Sequence, residues 1–276
     1  MNADLHCHST VSDGWLAPAD VVRRAAANGV THLALTDHDE VAGLDEALAV
    51  AREVGITLVP GVEISVSFRG ETVHVVGLGI DHRNPELLAG LAQVRRGRDK
   101  RATRIGEALE AAGIRDALAG ARRFARNPEL VSRAHFARHL VASGVMPDVN
   151  TVFRHYLAHG KPGYVAHEWA RLEDAVGWIH AAGGVAVIAH PGRYRFSDAD
   201  LGALFDAFAA CGGEAVEVVS GAHSQAEAQK FASLARRRGL LASRASDFHG
   251  EGESPVDLGC CEPLPPDLLP VWSRFV

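Results

Sequence analysis

Cysteine is scarce in this sequence, and long apolar runs are missing. The 276 residues include four cysteines, which form no C-x-x-C pair and no zinc-finger spacing, so we expect neither a disulfide framework nor a cysteine-based metal site. No uninterrupted apolar stretch approaches the ~18 residues that a membrane span needs. The first residues also lack the basic and apolar regions of a signal peptide. We therefore expect a cytoplasmic protein that does not enter a membrane.

Short β-branched apolar runs alternate with helical patterns along most of the chain. The expected strands cover residues 3–8, 32–38, 56–63, 73–80, 184–190, 215–220 and 240–247. The expected helices in this part cover residues 18–28, 44–54, 171–182, 198–210 and 224–238. This alternation predicts βαβ units and a mostly parallel sheet. Seven strands joined by right-handed crossovers can close into a distorted (β/α)7 barrel, so the predicted fold class is α/β.

Residues 83–165 break this rhythm, because their pattern is helical and contains no convincing strand. They carry a net charge of +8, whereas the rest of the chain carries −14. We interpret them as a small basic helical domain inserted into an acidic barrel, which would itself comprise residues 1–82 and 166–276. A run of basic side chains between residues 95 and 104 can also be a solvated helix face. The contrast between the two parts nevertheless favours an anionic ligand.

Histidine is abundant, at 15 residues, which is roughly twice the usual share. Many of these histidines stand with carboxylates near the ends of the predicted strands, and the C-terminal rim of an α/β barrel carries its active site. Buried imidazoles and carboxylates need compensation, which metal cations supply. A set without cysteine suits Zn²⁺, Mn²⁺ or Fe²⁺ and does not choose among them. The nine candidate ligands are His6, His8, Asp13, His38, Glu63, His74, His190, Asp247 and His249.

Five short motifs resemble those of the PHP (polymerase and histidinol phosphatase) domain family. They are DLHCH at residues 4–8, TDH at 36–38, GVE at 61–63, AHP at 189–191 and SDFH at 246–249. The resemblance implies a distorted seven-stranded barrel with up to three metal ions. It assigns His6, His8, Glu63 and Asp247 to the first metal, Asp13, His38 and His249 to the second, and His74 and His190 to the third, with Glu63 bridging the first and third.

The position of Asp13 departs from some relatives, which carry histidine there. An additional carboxylate favours harder ions such as Mn²⁺ or Fe²⁺. Two stretches in the basic segment, SRAHFARH at residues 132–139 and GKPGYV at 160–165, resemble the branch of 3′,5′-nucleoside bisphosphate phosphatases and 5′-phosphate-dependent ribonucleases. The resemblance therefore implies a nucleotide substrate that carries two phosphates.

Roles in phosphate ester hydrolysis can be proposed for several side chains. Asp247 and His249 are expected near the attacking water, and His190 or His223 is expected to protonate the leaving alcohol. Asp37 and Asp39 are expected to fix imidazole tautomers. A second phosphate needs cationic partners away from the metals. The candidate substrate residues are Arg133, Lys161 and Arg193, with His135 as a further contact and Tyr164 as a stacking surface.

The predicted reaction is removal of the 3′-phosphate from a nucleoside 3′,5′-bisphosphate by an enzyme with two or three divalent ions, Mn²⁺ first. Alternatives are a 5′-to-3′ exoribonuclease acting on short 5′-phosphorylated RNA and another phosphomonoesterase, such as a histidinol-phosphate phosphatase. Outside this class stand C–N hydrolysis by an amidohydrolase-like site and a non-catalytic nucleotide-binding module. The oligomeric state stays open.

Overall fold

Seven strands form one sheet in chain order, and the two edges of the sheet join. The structure, a computed structural model, describes residues 1–275. The strands are β1 (Ala3–Asp4), β2 (His32–Leu35), β3 (Thr57–Phe68), β4 (Glu71–Leu78), β5 (Val185–Ile188), β6 (Ala215–Ser220) and β7 (Leu241–Ala245). The N–H of Leu5 donates to the carbonyl of Arg244 at 3.0 Å, and the N–H of Asp247 donates to that of His6 at 2.9 Å. The predicted seven-stranded α/β barrel is confirmed.

Strand β4 runs opposite to its two neighbours, a departure from the predicted parallel arrangement. The turn between β3 and β4 is Arg69-Gly70, and both residues have positive φ, +49° and +82°. Two-residue turns of this kind favour an antiparallel hairpin, because their twist matches that of the strands. Strand β3 also continues to Phe68, well beyond its expected end at Glu63. Strand β4 therefore starts beside the far end of β3 and runs back, which puts His74 near its beginning.

Side chains on the strands alternate between two apolar layers. Val185 and Val187 of β5 join a cluster that contains residues from all seven strands and is closed by Val271. Ala186 and Ile188 belong instead to the larger cluster that includes the apolar faces of the surrounding helices. Period-two alternation explains this division. The first cluster fills the interior of the barrel, so it is a packed core.

In the part of the chain that the structure describes, nine α-helices accompany the strands. Among residues 1–275, no helix combines the length and the apolar character needed to cross a membrane. The first helix begins with Pro18, and the second is followed by Gly55 in the left-handed conformation, both of which are common at helix ends. The helices are α1 (Pro18–Ala27), α2 (Leu44–Val54), α3 (Pro85–Ala111), α4 (Ala117–Arg122), α5 (Arg133–Ala142), α6 (Val149–Val152), α7 (Leu172–Ala181), α8 (Asp198–Ala210) and α9 (Gln225–Arg238).

The basic segment contains α3 to α6 and a π-helical turn at Phe153–Leu157. Its buried apolar residues form a third cluster around Phe136, apart from the two barrel clusters. The helical character expected for residues 83–165 is therefore present. The division of the chain into a barrel and an inserted domain stays a prediction.

Candidate active site

The candidate ligands lie at one end of the barrel, mostly just after the strands. His6 and His8 follow β1, and His38 follows β2, where it forms an isolated bridge with Glu63 in the middle of β3. Two other candidate ligands, His190 and Asp247, have left-handed backbone conformations, with φ of +25° and +55°. Non-glycine residues in this region are strained, and such residues cluster at functional sites. The backbone thus accepts strain where these side chains are aimed into the barrel mouth.

Glu63 is the centre of this cluster. It is 1% exposed, and its two oxygens together lie within 3.3 Å of nitrogens on five imidazoles. Because one carboxylate meets so many rings, the rings also approach each other, and the Nε2 atoms of His6 and His8 are 3.0 Å apart. The contacts of Oε2 are His6 Nε2 at 3.2 Å, His8 Nε2 at 3.3 Å and His38 Nδ1 at 2.8 Å, and those of Oε1 are His74 Nδ1 at 2.7 Å and His190 Nε2 at 3.0 Å.

Asp13 forms a second centre beside the first. Its Oδ1 lies 3.5 Å from His249 Nε2, 3.9 Å from His38 Nε2 and 4.0 Å from His8 Nδ1. Asp247 lies on the other side, with its Oδ1 3.3 Å from His8 Nε2 and 3.5 Å from His6 Nε2. The groups that could each hold a metal ion are His8, Asp13, His38 and His249; His6, His190 and Asp247; His6, His8 and Glu63; and His38, Glu63 and His74. All nine predicted residues occur in them. We call these nine residues the metal rim.

Several buried polar atoms in the metal rim have close neighbours, but within residues 1–275 none of their contacts has the geometry of a hydrogen bond. They are His38 Nδ1, Glu63 Oε2, His74 Nδ1 and His190 Nδ1. An unpaired buried polar atom is costly, and such atoms call for an ion or ordered solvent. Several imidazole nitrogens and carboxylate oxygens around a shared centre match the ligand preferences of divalent transition metals. The donor set therefore fits divalent metal ions.

The imidazoles of the metal rim respond differently to burial. Burial lowers the pKa of His38 to about 4, because Glu63 and Asp13 only partly offset the loss of hydration. Burial also lowers the pKa of His8, but the contacts of His8 with Asp247 and Glu63 outweigh that effect and raise its pKa to about 10. For Glu63 the surrounding histidines likewise outweigh burial, and its pKa lies well below the usual range. The metal rim thus contains ionised carboxylates, which attract cations.

A single cavity of about 450 Å³ joins the metal rim to a group of arginines. Arg98 and Arg101 come from α3 and are 5% and 8% exposed. Arg133 is the first residue of α5, and Arg193 lies in a 3₁₀ turn after β5. We call these four residues the arginine wall. The cavity therefore offers metal ligands on one side and guanidinium groups on the other.

The model of the PHP domain matches residues 4–184 of this chain. The chain belongs to the PHP domain family. It is 55% identical over 274 residues to the 3′,5′-nucleoside bisphosphate phosphatase of Chromobacterium violaceum, a match that covers 99% of this chain and 96% of the relative. It is 43% identical over 272 residues to a 5′-3′ exoribonuclease of Haemophilus influenzae, with 99% and 98% covered. The resemblance expected from the motifs is confirmed.

Solved structures agree with the assignment to the PHP family. An amidohydrolase from Chromobacterium violaceum, with bound sulfate and no metal, is 55% identical and superimposes with a TM-score of 0.96, covering 99% of this chain and 95% of that one. A metal-dependent phosphoesterase structure from Bifidobacterium adolescentis is 28% identical, with a TM-score of 0.84 and coverage of 99% and 94%. The chain is a metal-dependent phosphoesterase of this family.

Two of the predicted substrate residues, Arg193 and Arg133, line the cavity between the metal rim and the arginine wall. Arg193 donates from Nη1 to Asp247 Oδ2 at 2.8 Å, and its side chain is about half exposed, at 52%. Arg133 faces the cavity, and its guanidinium carbon lies 5.7 Å from the centre of the Phe153 ring. Within residues 1–275, the Arg133 guanidinium has no hydrogen bond or ion pair, and burial together with nearby Arg193 lowers its pKa. Arg133 is thus a cation at the cavity whose donors are free to bind an anion.

Three other predicted substrate residues lie outside the set that lines this cavity in the described part of the chain. Lys161 is exposed, in the turn that precedes Tyr164. The ring of Tyr164 packs against that of His159, with centroids 4.8 Å apart. His135 is buried, and its Nδ1 accepts a hydrogen bond from the N–H of Ser132, which completes the capping box of α5. The structure therefore gives His135 a role in the fold and leaves Lys161 at the surface.

His223 cannot readily serve as the proton donor expected from its place after β6. Its Nδ1 donates to the carbonyl of Val218 at 3.2 Å, and its Nε2 accepts from the N–H of Gly192 at 3.1 Å. A carbonyl only accepts and an N–H only donates, so the ring is neutral and both nitrogens are occupied. The ring also stacks on Phe231. His223 instead supports the loop that carries His190.

The expected roles of Asp37 and Asp39 are wrong. Asp37 accepts hydrogen bonds from the backbone of Ser9 and from the hydroxyls of Ser9 and Ser12, so it orders the loop after β1. Asp39 accepts from Ser65 and pairs with Arg98, whose Nε donates at 2.7 Å. Neither carboxylate contacts an imidazole. These contacts make both aspartates supports of the loops and of the arginine wall.

The sequence reasoning missed three residues of the site. Arg98 and Arg101 stand in a basic run for which a solvated helix face and an anionic ligand were both left open, and neither was named as a substrate residue, although both are buried beside the cavity. Their spacing of three along a helix places them on one face, a signal that was available but could not show what faces them. Glu217 lies in β6 and reaches His6 Nδ1 at 2.6 Å. Its position in an apolar strand was the available signal, since a buried glutamate needs a partner.

Proposed function

We propose that this chain removes the 3′-phosphate from nucleoside 3′,5′-bisphosphates and releases a nucleoside 5′-monophosphate and phosphate. The observation that carries the proposal is the joining of the metal rim and the arginine wall in one cavity. A substrate with two phosphates can place one at each wall. The relative named as a bisphosphate phosphatase, at 55% identity, supports the same substrate class. The sulfate in the related Chromobacterium structure, a tetrahedral dianion like phosphate, is consistent with it.

Arg133 and Arg101 are the proposed partners of the second phosphate. Arg101 uses only its Nε within residues 1–275, donating to the carbonyl of Val165 at 3.2 Å. Burial, with Arg133 and Arg98 nearby, lowers the pKa of Arg101 to about 9. Crowded cations with free donors are stabilised by a phosphate, which accepts bidentate hydrogen bonds from guanidinium groups. Arg101 replaces Lys161 in the predicted set, and Arg193 completes it from the barrel side.

The nine residues of the metal rim are the proposed ligands, and Mn²⁺ is the proposed ion. The carboxylates of Asp13, Glu63 and Asp247 make the donor set hard enough to favour it. When bound, such cations promote ionisation of water and neutralise charge on phosphoryl oxygens. Asp247 and His249 are the residues proposed to lie beside the attacking water. Arg193 orients Asp247 through its 2.8 Å contact. Because backbone groups occupy both nitrogens of His223, His190 is the candidate left to protonate the leaving 3′-oxygen.

We also propose that residues 83–165 act as the part of the molecule that selects the substrate. Three of the four residues of the arginine wall come from this segment, whereas most of the metal rim comes from the barrel strands and their loops. A barrel with metals alone would serve many phosphate esters. The cationic segment restricts the choice to substrates with a second anionic group. Hydrolysis of C–N bonds would give the positive charge of this segment no function.

The test is phosphate release from adenosine 3′,5′-bisphosphate in the presence of Mn²⁺, compared with AMP and with a generic aryl phosphate. We expect efficient release from the bisphosphate and little from AMP. A kcat/KM on the bisphosphate no higher than that on the aryl phosphate would refute the substrate assignment. No turnover on any phosphate ester, with metals fully bound, would support the non-catalytic alternative.

A 5′-to-3′ exoribonuclease acting on short RNA is the second candidate function. The observation in its favour is the pair of relatives named as such enzymes, at 43% and 44% identity and near full coverage. The second phosphate site would then receive the 5′-phosphate of the RNA. A 5′-phosphorylated dinucleotide separates the two functions. Cleavage at a rate comparable to the bisphosphate reaction favours the nuclease, and its absence favours the phosphatase.

A further inference from the structure

Strand β6 contributes none of the nine proposed ligands, yet its glutamate touches the metal rim. Glu217 is 1% exposed, and both of its oxygens are in use. Oε1 lies 2.6 Å from Nδ1 of His6, and Oε2 accepts the backbone N–H of His190 at 2.6 Å. Ala215, two residues earlier in β6, belongs to the interior apolar layer of the barrel, so alternation along the strand aims Glu217 to the same side.

The contact with Glu217 determines which nitrogen of His6 carries the proton. An ionised carboxylate can only accept, so Nδ1 of His6 must donate, and Nε2 is the nitrogen left to lose its proton and bind a metal. Nε2 is the atom that faces the rim, 3.2 Å from Glu63 Oε2 and 3.0 Å from His8 Nε2. A metal binds the unprotonated nitrogen of a neutral imidazole. Glu217 thus prepares His6 for ligation.

The other oxygen of Glu217 acts on His190 through the main chain. His190 has φ +25° and precedes Pro191, and both features restrict its backbone. Its buried N–H has no strand partner at this point and donates to Glu217 instead. One side chain thereby fixes the tautomer of one proposed ligand and the backbone of another.

We propose that Glu217 is the positioning residue that links His6 and His190 and makes both competent to bind metal. The inference rests on the metal site proposed above and not on its substrate. It extends that site to β6, the strand that supplies none of the nine proposed ligands.

The variant that tests this inference is Glu217→Gln, which keeps the shape and loses the charge. An amide offers one acceptor and one donor group, so it cannot accept from both His6 and His190. If its carbonyl oxygen serves His190, its NH₂ faces Nδ1 of His6 and drives the proton of His6 to Nε2. If it serves His6, the N–H of His190 meets a donor and the backbone must shift.

The readouts are metal affinity and the His6 tautomer in the full-length chain. Mn²⁺ titration followed by elemental analysis should show at least one metal bound roughly 10- to 100-fold more weakly, the usual effect of losing an outer-shell partner. In the metal-free protein, ¹⁵N NMR of the imidazoles should show His6 protonated at Nδ1 in the wild type and altered in the variant. Equal Mn²⁺ affinity and an unchanged tautomer would overturn the inference.

Glu214→Gln is the matched control. Glu214 also meets one imidazole and one backbone N–H, through contacts of its Oε2 with His180 at 3.3 Å and with Ala186 at 3.2 Å, but it lies outside the metal rim. Its substitution should leave Mn²⁺ affinity unchanged. Equal weakening by both substitutions would mean a general loss of stability and would count against Glu217 as a specific positioning residue.

Two further measurements keep the test decisive. If Glu217→Gln does not fold, Glu217→Asp retains the charge but is one methylene shorter, so it reaches only one of the two donors. Wild-type metal affinity in Glu217→Asp would overturn the positioning role, and weakened affinity in a folded variant supports it. Failure of the wild type to bind Mn²⁺ would reject the proposed metal site itself, an outcome distinct from failure of the inference about Glu217.

Discussion

The metal rim and the arginine wall face each other across one cavity, but they are built in different ways. The metal rim contains charges of both signs, and most of its atoms contact one another, as around Glu63. In the arginine wall, Arg98 and Arg193 are paired with carboxylates, but Arg133 and Arg101 have no anionic partner within residues 1–275. The groups of the metal rim largely balance one another and lack only metal cations. The arginine wall gains partners for its free guanidinium groups only when an anion enters the cavity.

This difference indicates a division of labour. We expect the metal rim to perform the chemistry common to the family, and the unpaired cations of the arginine wall to select the substrate. Variants of the two walls should therefore have different signatures. Changes in the metal rim should affect every phosphate ester, and changes in the arginine wall should affect only substrates with a second phosphate.

Removal of metal should have the largest effect. Treatment with a chelator should abolish activity on the bisphosphate and on an aryl phosphate alike, because both depend on the metal rim. Activity should return on addition of Mn²⁺, measured as phosphate release. Full activity after complete removal of metal, verified by elemental analysis, would contradict the proposed role of the metal rim.

Glu63→Gln should have the next largest effect. Glu63 meets five imidazoles, so its loss should reduce kcat on both substrates by more than the ~10- to 100-fold typical of an outer-shell partner. Bound Mn²⁺ should fall in the same preparation. The control is Glu71→Gln, since Glu71 is only partly buried and does not line the cavity. An unchanged metal content in Glu63→Gln would remove Glu63 from the centre of the site.

Arg133→Gln and Arg101→Gln should separate the two walls. A hydrogen bond to a charged group contributes about 1.5–3 kcal/mol, so each variant should lose roughly 10- to 100-fold in kcat/KM on the bisphosphate. Activity on an aryl phosphate, which has no second phosphate, should stay near that of the wild type. An equal loss on both substrates would mean that the arginine wall supports the metal rim and does not select the substrate.

Lys161→Gln should have the smallest effect. The side chain is exposed and does not line the cavity, and exposed charges contribute little. We expect kcat/KM on the bisphosphate to stay within about twofold of the wild type. A loss as large as that of Arg133→Gln would return Lys161 to the second phosphate site and would imply that its turn closes over the bound substrate.

Sequence reasoning worked best for residues whose signals are local in the chain. Motifs such as residues 4–8 and 246–249 combine strand periodicity with polar side chains at a strand end, and both signals are local. Glu63 was predicted as a ligand and lies in the metal rim, although β3 continues beyond it to Phe68. His74 was also predicted, and the reversal of β4 that brings it to the rim comes from the turn at Arg69-Gly70.

Residues whose partners lie far away in the chain were assigned less well. Lys161 was assigned to a phosphate site from a resemblance in its turn, and His223 was assigned to catalysis from its place after a strand. Neither position shows where the side chain points or which backbone groups occupy it. For His223, those groups belong to Val218 and Gly192.

The sequence alone therefore determined the class of fold, the family and the nine residues of the metal rim. It did so because strand ends gather at one edge of a barrel, whatever the details of packing. The tertiary structure decided which cations face that rim and which carboxylate supports it. The role of Arg101 depends on the packing of α3 beside the cavity, and that of Glu217 depends on its contacts with His6 and His190. Contacts of this kind join residues distant in the chain, and no local pattern encodes them.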